Sequence, residues 1–355
     1  FCLSRGLGDV YKRQGGVSFE LLQKNYEEQA FYLTQEGCDY LLLETCQDTR
    51  NIKAALLGIE DAFRKLNFQI PIAISITIEA MGTMLAGQSV DAFFASIMHH
   101  NLLYIGLNCA TGPEFMTSHL RSFHQWSHFP IACVPNAGLP DENGKYLETP
   151  TMVAKKIAQF CDEGWINLAG GCCGTTPEHI KALHQELKKK RPRIPKPYST
   201  ISLLSGIDLL EVTDELRPIL VGERTNVIGS KKFKELICHN NFDQAAEIGK
   251  QQVMKGAQVV DICLANPDRD ELQDMINFLE SGVQKIRSPL MIDSTDAKVI
   301  EKALTYSQGK AIINSINLED GMERFVEIVP LAKKFGASLV AVSYTHLRAH
   351  ETGRN

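Results

Sequence analysis

No apolar run in this sequence reaches the roughly 18 residues that a membrane-spanning helix needs, so no membrane partner is expected. No segment reads as a secretory signal peptide. A strong charge of either sign is missing as well. The formal net charge is −5 over 355 residues, which leaves no basis for a nucleic-acid partner or a polybasic membrane patch. The C-x-x-C spacing of zinc fingers is absent, although the chain holds ten cysteines. They are dispersed, unlike a secreted disulfide framework, and a reducing cytoplasm is the expected setting. In that setting Cys38, Cys46, Cys133, Cys161 and Cys238 read as small hydrophobes.

What is present suits a globular protein: 44% hydrophobic and 22% charged residues, in a length that fits two domains better than one. The two ends do not fit that picture. Residues 1–14, FCLSRGLGDVYKRQ, and 343–355, SYTHLRAHETGRN, resemble translated sequencing-adaptor remnants and are set aside from fold reasoning. Naturally disordered termini are the alternative. The informative chain is then 15–342, a fragment cut at both sides.

Short apolar runs alternate with helix-like stretches. Residues 40–44, 70–78, 104–108, 131–136 and 166–171 read as buried strands, separated by helices at 50–66, 89–99, 113–126, 151–163 and 177–190. The stretch KKKRPRIPKPYST (188–200) is basic and proline-rich and marks a linker, taken as 191–217. Alternation then resumes, with strands at 218–222, 259–263, 289–293, 311–316 and 337–342 and helices at 230–239, 242–256, 268–286, 295–307 and 319–335. Repeated strand–helix units predict an α/β fold with parallel sheets.

Polar or thiol groups follow one strand after another: Glu44, Cys109, Asn136 and the Cys172–Cys173 pair, then Glu223, Asn226, Asp293 and Asn314. That is the pattern of a βα-barrel's active face. The expectation is two consecutive (βα)8 TIM-type barrels, in 15–190 and 218–342. Each shows five strands. The first lacks its opening strands and the second its closing ones.

Cys109 and the pair Cys172–Cys173 come from different strand ends, which meet around one mouth in a barrel. Three thiolates on a zinc ion leave one tetrahedral position open, the layout of a catalytic rather than a structural site. A thiol bound there loses its proton and stays nucleophilic, which predicts thiol activation for alkyl transfer. Packing cysteines and a vicinal disulfide are the competing readings.

The segments GLNCATGPEF (106–115), PNAGLPDENGKY (135–146) and GGCCGTTPEHI (170–180) resemble the homocysteine methyltransferase domain. The resemblance implies Cys109, Cys172 and Cys173 as zinc ligands, Glu44 as a contact for the homocysteine amino group, and Asn136 as a further substrate contact. Asn136 could equally fix the PNAG turn.

VGERTNVIGSKKFKELI (221–237), MIDSTDAKVIEKAL (291–304) and GKAIINSINLEDGMERF (309–325) resemble the pterin-binding domain of cobalamin-dependent methionine synthases. Homocysteine and pterin domains in this order are similar to the N-terminal half of those enzymes. The resemblance implies Asp293 and Asn314 as partners of the pterin ring, with Glu223, Asn226 and Asp261 near the same mouth. Glu223 and Asn226 could instead hold loops. The family's Asp-x-Asn reads Asp261-Ile262-Cys263 here, so the asparagine is missing and Cys263 reads as packing.

The implied activity is methyl transfer from methyltetrahydrofolate, by way of cobalamin, to a zinc-activated homocysteine thiolate. No Asp-x-His-x-x-Gly cobalamin motif is present, so a cobalamin-binding module is expected downstream or on a separate chain. Alternatives are a cobalamin-independent homocysteine methyltransferase with another methyl donor, a fusion to a folate reductase, and an inert truncated fragment that only binds zinc.

Overall fold

The computed structural model describes residues 17–282, 284–318 and 321–342. The two expected adaptor remnants lie outside the described residues. The chain divides into two units, Phe1–Ile201 and Ser202–Asn355.

The first unit alternates helix and strand: α1 (Phe19–Gln35), β1 (Leu41–Cys46), α2 (Thr49–Leu66), β2 (Ile72–Ile76), α3 (Val90–Ile97), β3 (Tyr104–Asn108), α4 (Thr117–Trp126), β4 (Ile131–Val134), α5 (Pro150–Asp162), β5 (Leu168–Ala169) and α6 (Pro177–Leu187). The α2 helix shows why the pattern was readable. Asp48 caps its start by accepting from Arg50 N and Asn51 N at 2.7 and 3.2 Å. Ile52, Ala55, Leu56 and Ile59 form its buried stripe, and Asn67 ends it in the left-handed region. By contrast, α1 is not among the expected elements. Its buried seam is narrow, Phe19, Leu22, Tyr26 and Ala30, and it packs against α2, where Gly58 leaves room for the Gln23 carbonyl. The α4 helix starts later than expected, because Pro113–Thr117 is taken up in a turn closed by Met116 N→Pro113 O and Thr117 N→Glu114 O.

The five strands pair in the order β1-β2-β3-β4-β5, all parallel. Each strand lies beside its predecessor, without the reversal that gives doubly wound sheets their crevice. One face of the sheet carries Leu41, Leu43, Ile74, Ile105, Leu107 and Ile131, all buried. The other carries small or polar groups, including Ala73, Ser75, Gly106 and Ala132.

The segment expected as a linker carries structure in both units. Arg193 is buried, donating through its guanidinium to Ser127 O at 2.5 Å and Phe129 O at 3.0 Å, while its N–H bonds Ile166 O at 3.0 Å. Arg193→Ala leaves those two carbonyls without their donor, and we expect a loss of about 2–4 kcal/mol. A urea titration followed by circular dichroism checks this. Arg193→Lys should not rescue, because one ammonium cannot reproduce the fork.

Further on, residues that sequence reading left in the linker form an antiparallel hairpin, β6 (Ser202–Ser205) and β7 (Leu209–Val212). It belongs to the second unit, with β8 (Val221–Gly222), α7 (Lys231–Cys238), α8 (Phe242–Met254), β9 (Val259–Ile262), α9 (Glu271–Gly282), β10 (Leu290–Asp293), α10 (Ala297–Tyr306), β11 (Ile312–Ile316), α11 (Glu323–Phe335) and β12 (Ser338–Ala341). Strands β8 to β12 again pair in sequence order and in parallel. The hairpin covers one face of this sheet, packing Leu204, Leu210 and Val212 around Val259 and Ile312. Ser205 ties it to the start of β11 through Ser205 N→Lys310 O and Lys310 N→Ser205 Oγ at 3.2 and 2.9 Å. Of the cysteines read as small hydrophobes, Cys133 is fully buried, whereas Cys238 is exposed and its sulfur accepts from Asn266. Among the described residues no helix is long and apolar enough to cross a membrane.

Candidate functional sites

Cys109 follows β3 directly, and Cys172–Cys173 lies in the turn between β5 and α6. Because β3, β4 and β5 are adjacent and parallel, these two turns open on the same end of the sheet. The three sulfurs all lie within 4.8 Å of one another. Cys109 Sγ is 3.8 Å from Cys173 Sγ, and Cys172 Sγ is 3.9 Å from it. Zinc–sulfur bonds of about 2.3 Å set the sulfurs of a tetrahedral site about 3.8 Å apart. The donor set and its spacing therefore fit three corners of such a site, with the fourth left to another ligand.

The backbone is shaped to allow this. Cys109 and Ala110 both occupy the left-handed region, at φ 62° and 56°, which non-glycine residues seldom adopt and which clusters at functional sites. Gly174 sits at φ 78°, and a Cβ there would run into the Tyr146 ring. Backbone bonds from Cys172 N to Pro135 O (2.7 Å) and from Ala137 N to Cys173 O (2.9 Å) tie the cysteine turn to the loop after β4. Asn136 is buried in that loop. Its Oδ1 accepts from Cys173 N at 3.0 Å, and its side chain also hydrogen-bonds Cys109. The carboxamide expected to touch substrate is thus engaged with the thiol triad itself.

The triad carries its negative charge unevenly. Cys109 is pushed down to about 5, chiefly by its hydrogen bond with Cys172, then by Ala110 N–H, Cys173 and Asn136, against the opposing effect of burial. Cys172 is driven up, first by that same bond with Cys109 and then by burial. Cys109 is thus the thiol that holds the charge, and Cys172 resists acquiring a second.

Glu44 lies near the end of β1, at a bulge where Thr45 adopts φ 58°. Thr45 is fixed to the residue before Cys109: Thr45 N donates to Asn108 Oδ1 at 3.2 Å, and Asn108 Nδ2 donates to Thr45 Oγ1 at 2.8 Å. Ser75 Oγ adds a third bond to Asn108 at 2.7 Å. Buried Asn108 therefore joins the ends of β1, β2 and β3, on the end of the sheet where the thiols meet.

The second unit gathers the other expected residues. Asp293 pairs with Asn314 across β10 and β11, and Asn226 bridges Cys263 beside β9. Cys263 is one step beyond the pair Ile262–Ile292, which puts it next to Asp293. Asn226, Cys263, Asp293 and Asn314 thus form a row across four neighbouring chain segments. Asp261, two residues before Cys263, shares its face one step deeper. Its Oδ2 accepts weakly from Asn226 Nδ2 at 3.5 Å, while its Oδ1 is buried without a hydrogen-bond partner. Burial, then the charge of Asp293, push Asp261 up to about 6. Asp293 is raised too, by burial and by Glu223, with a hydrogen bond from the Cys263 thiol working the other way. Cys263 is buried, as a packing residue would be, and stands beside Asp293, whose rise its thiol restrains. Three crowded carboxylates, one with an orphaned oxygen, make a site that favours a ligand edge rich in N–H donors.

Three participants were not singled out from sequence. Tyr146 lays its ring over Gly174 and hydrogen-bonds Cys173 through its hydroxyl. Asn108 knits the strand ends, as described. His179, buried in the first turn of α6, accepts from Thr176 N at 3.2 Å and donates through Nε2 to Glu148 O at 3.0 Å. All three lie inside motifs already quoted, but no spacing rule marks them out.

Two family models match the chain. The one described as homocysteine S-methyltransferase matches residues 2–187, and the one described as pterin binding enzyme matches residues 222–353. Among solved structures, the chain is similar to the homocysteine methyltransferase MmuM from Escherichia coli. The metallated form is 24% identical, over 50% of this chain and 56% of that one, with a TM-score of 0.41. The apo form is 22% identical, over 48% and 57%, with a TM-score of 0.38. The chain thus spans little more than half the length of these structures.

Proposed function

Because the chain belongs to the homocysteine S-methyltransferase family, we propose that it takes part in methyl transfer from methyltetrahydrofolate to the thiol of homocysteine. The observation that carries this reading is the convergence of Cys109, Cys172 and Cys173 within 4.8 Å. These three residues would hold zinc. What zinc supplies when bound is acidity: a thiol beside it gives up its proton near neutral pH. Asn136 and Tyr146 keep Cys173 aimed at its neighbours, and the Asn108 network sets the strand end from which Glu44 would receive the homocysteine ammonium.

In the second unit, Asp261, Asp293 and Asn314 would receive the donor edge of the pterin, with Asn226 and Glu223 at the rim. The crowding of the carboxylates supports this, since a bound N–H edge relieves it. Each unit is then read as barrel-like, with five parallel strands paired in sequence order among the described residues. The domains expected at 15–190 and 218–342 each extend into the segment between them, the first to about residue 201 and the second from the hairpin at Ser202. The methyl group would travel by way of cobalamin held by a module outside this chain, in the cytoplasm, where the thiols stay reduced.

The test is methionine formation from homocysteine and methyl-labelled methyltetrahydrofolate, with zinc and added cobalamin. Label in methionine, abolished by Cys172→Ser, is the expected result. Label transferred only from S-methylmethionine or betaine would point to a cobalamin-independent enzyme. No transfer from any donor would leave a metal-binding fragment.

A further inference from the structure

A closed ring of hydrogen bonds passes through the cysteine turn. Cys173 O accepts from Ala137 N at 2.9 Å, and Ala137 O accepts from Glu148 N at 3.1 Å. Glu148 O in turn accepts from His179 Nε2 at 3.0 Å, and His179 Nδ1 accepts from Thr176 N at 3.2 Å. Thr176 lies shortly after Cys173 in the same turn, so the chain itself completes the circuit. Ala137 and His179 are buried, which keeps water from competing for these bonds. An arm leaves the ring at Glu148. Its side chain lies so close to Gly112 and Gly138 that a Cβ on either glycine would strike it. Gly112 belongs to the loop that begins at Cys109. The ring and its arm therefore join the loops after β3 and β4 to the turn that carries Cys172 and Cys173.

Every member of the ring but one bonds through its main chain. His179 supplies the single side chain, with an acceptor on one face of the imidazole and a donor on the other. We propose that His179 is a positioning residue for the metal centre. It bridges the start of α6 to Glu148 and so holds the cysteine turn at its distance from Cys109 before a metal binds. This rests on the zinc reading of the triad.

Two uncharged variants separate the two bonds. In His179→Asn the carboxamide oxygen stands in for Nδ1 and keeps the bond from Thr176 N, but the side chain is too short to reach Glu148 O. In His179→Gln the amide N–H stands in for Nε2 and keeps the bridge. Zinc competition against a chromophoric chelator, on the full chain, should show a loss of about 10- to 100-fold in His179→Asn, the usual effect of removing a partner outside the ligand set. His179→Gln should stay within a few-fold of wild type. With cobalt in place of zinc, the thiolate-to-metal absorption should change in His179→Asn and persist in His179→Gln. The opposite order of the two variants, or equal effects in both, overturns the bridge and leaves His179 as a helix cap. A second measurement needs no substitution. In the metal-free protein, nitrogen NMR of the imidazole should find its proton on Nε2; a proton on Nδ1 breaks the ring and overturns the proposal. Failure of the wild-type chain to bind zinc at all overturns the zinc reading as well.

Discussion

Cys172→Ser lowers the affinity of the chain for zinc by on the order of 100-fold or more, and Cys109→Ser and Cys173→Ser do the same. Loss of a partner outside the ligand set typically costs about 10- to 100-fold, so loss of a ligand sulfur exceeds that. Two of the three sulfur pairs stand at the spacing of a tetrahedral metal's corners, and all three sulfurs lie within 4.8 Å of one another. Removing one leaves two thiols and no fourth protein donor among the described residues. The measurement is zinc content after dialysis against a chelator of graded strength. Substitution by cobalt adds a second readout, because thiolate-to-metal absorption counts the sulfurs. Affinity should fall on acidification in the wild type, since protons compete for the thiolates. Cys263→Ser serves as the control, because that thiol lies in the other unit and should leave zinc untouched. Full retention of zinc in all three triad variants would sink the assignment.

Asp261→Asn should stabilise the second unit at neutral pH and weaken pterin binding at the same time. A carboxyl raised to about 6 holds its proton more tightly folded than unfolded. Its contribution to stability therefore declines as pH rises from about 4 to about 6, and stays low above that. The asparagine variant lacks this decline. At pH 7 it should be more stable by about 1–2 kcal/mol, after allowance for partial solvent screening, and the advantage should vanish near pH 4. Affinity for a reduced pterin should fall by on the order of 10- to 100-fold, the worth of a charge-assisted hydrogen bond. Thermal melts across pH and one binding titration check both halves. A variant that is no more stable and binds as tightly would mean that the orphaned oxygen does not face a ligand.

Much of this architecture was legible along the chain because its signals are local. Asp48, the apolar stripe of α2 and Asn67 announce a helix within one window of sequence. Where the signal is thin, as in the single seam of α1, the element passed unnoticed. The hairpin at 202–212 was hidden for a different reason. Its strands are four residues each, and their burial comes from Val259 and Ile312, far along the chain. Arg193 reads as linker charge because nothing nearby reveals the carbonyls of Ser127 and Phe129 that it pairs with.

The sequence by itself determined which residues could do chemistry: three cysteines and a set of carboxylates and carboxamides, each placed in or just after a strand. Only the tertiary structure decided how they meet. Parallel pairing in sequence order brings Cys109 beside Cys173, sets Cys263 next to Asp293, and places Asn136 against the thiol turn. Strand periodicity and capping act over a few residues, whereas register between strands is a long-range choice. That choice settles which polar group faces which, and so where charge is relieved and where it is left waiting for a ligand.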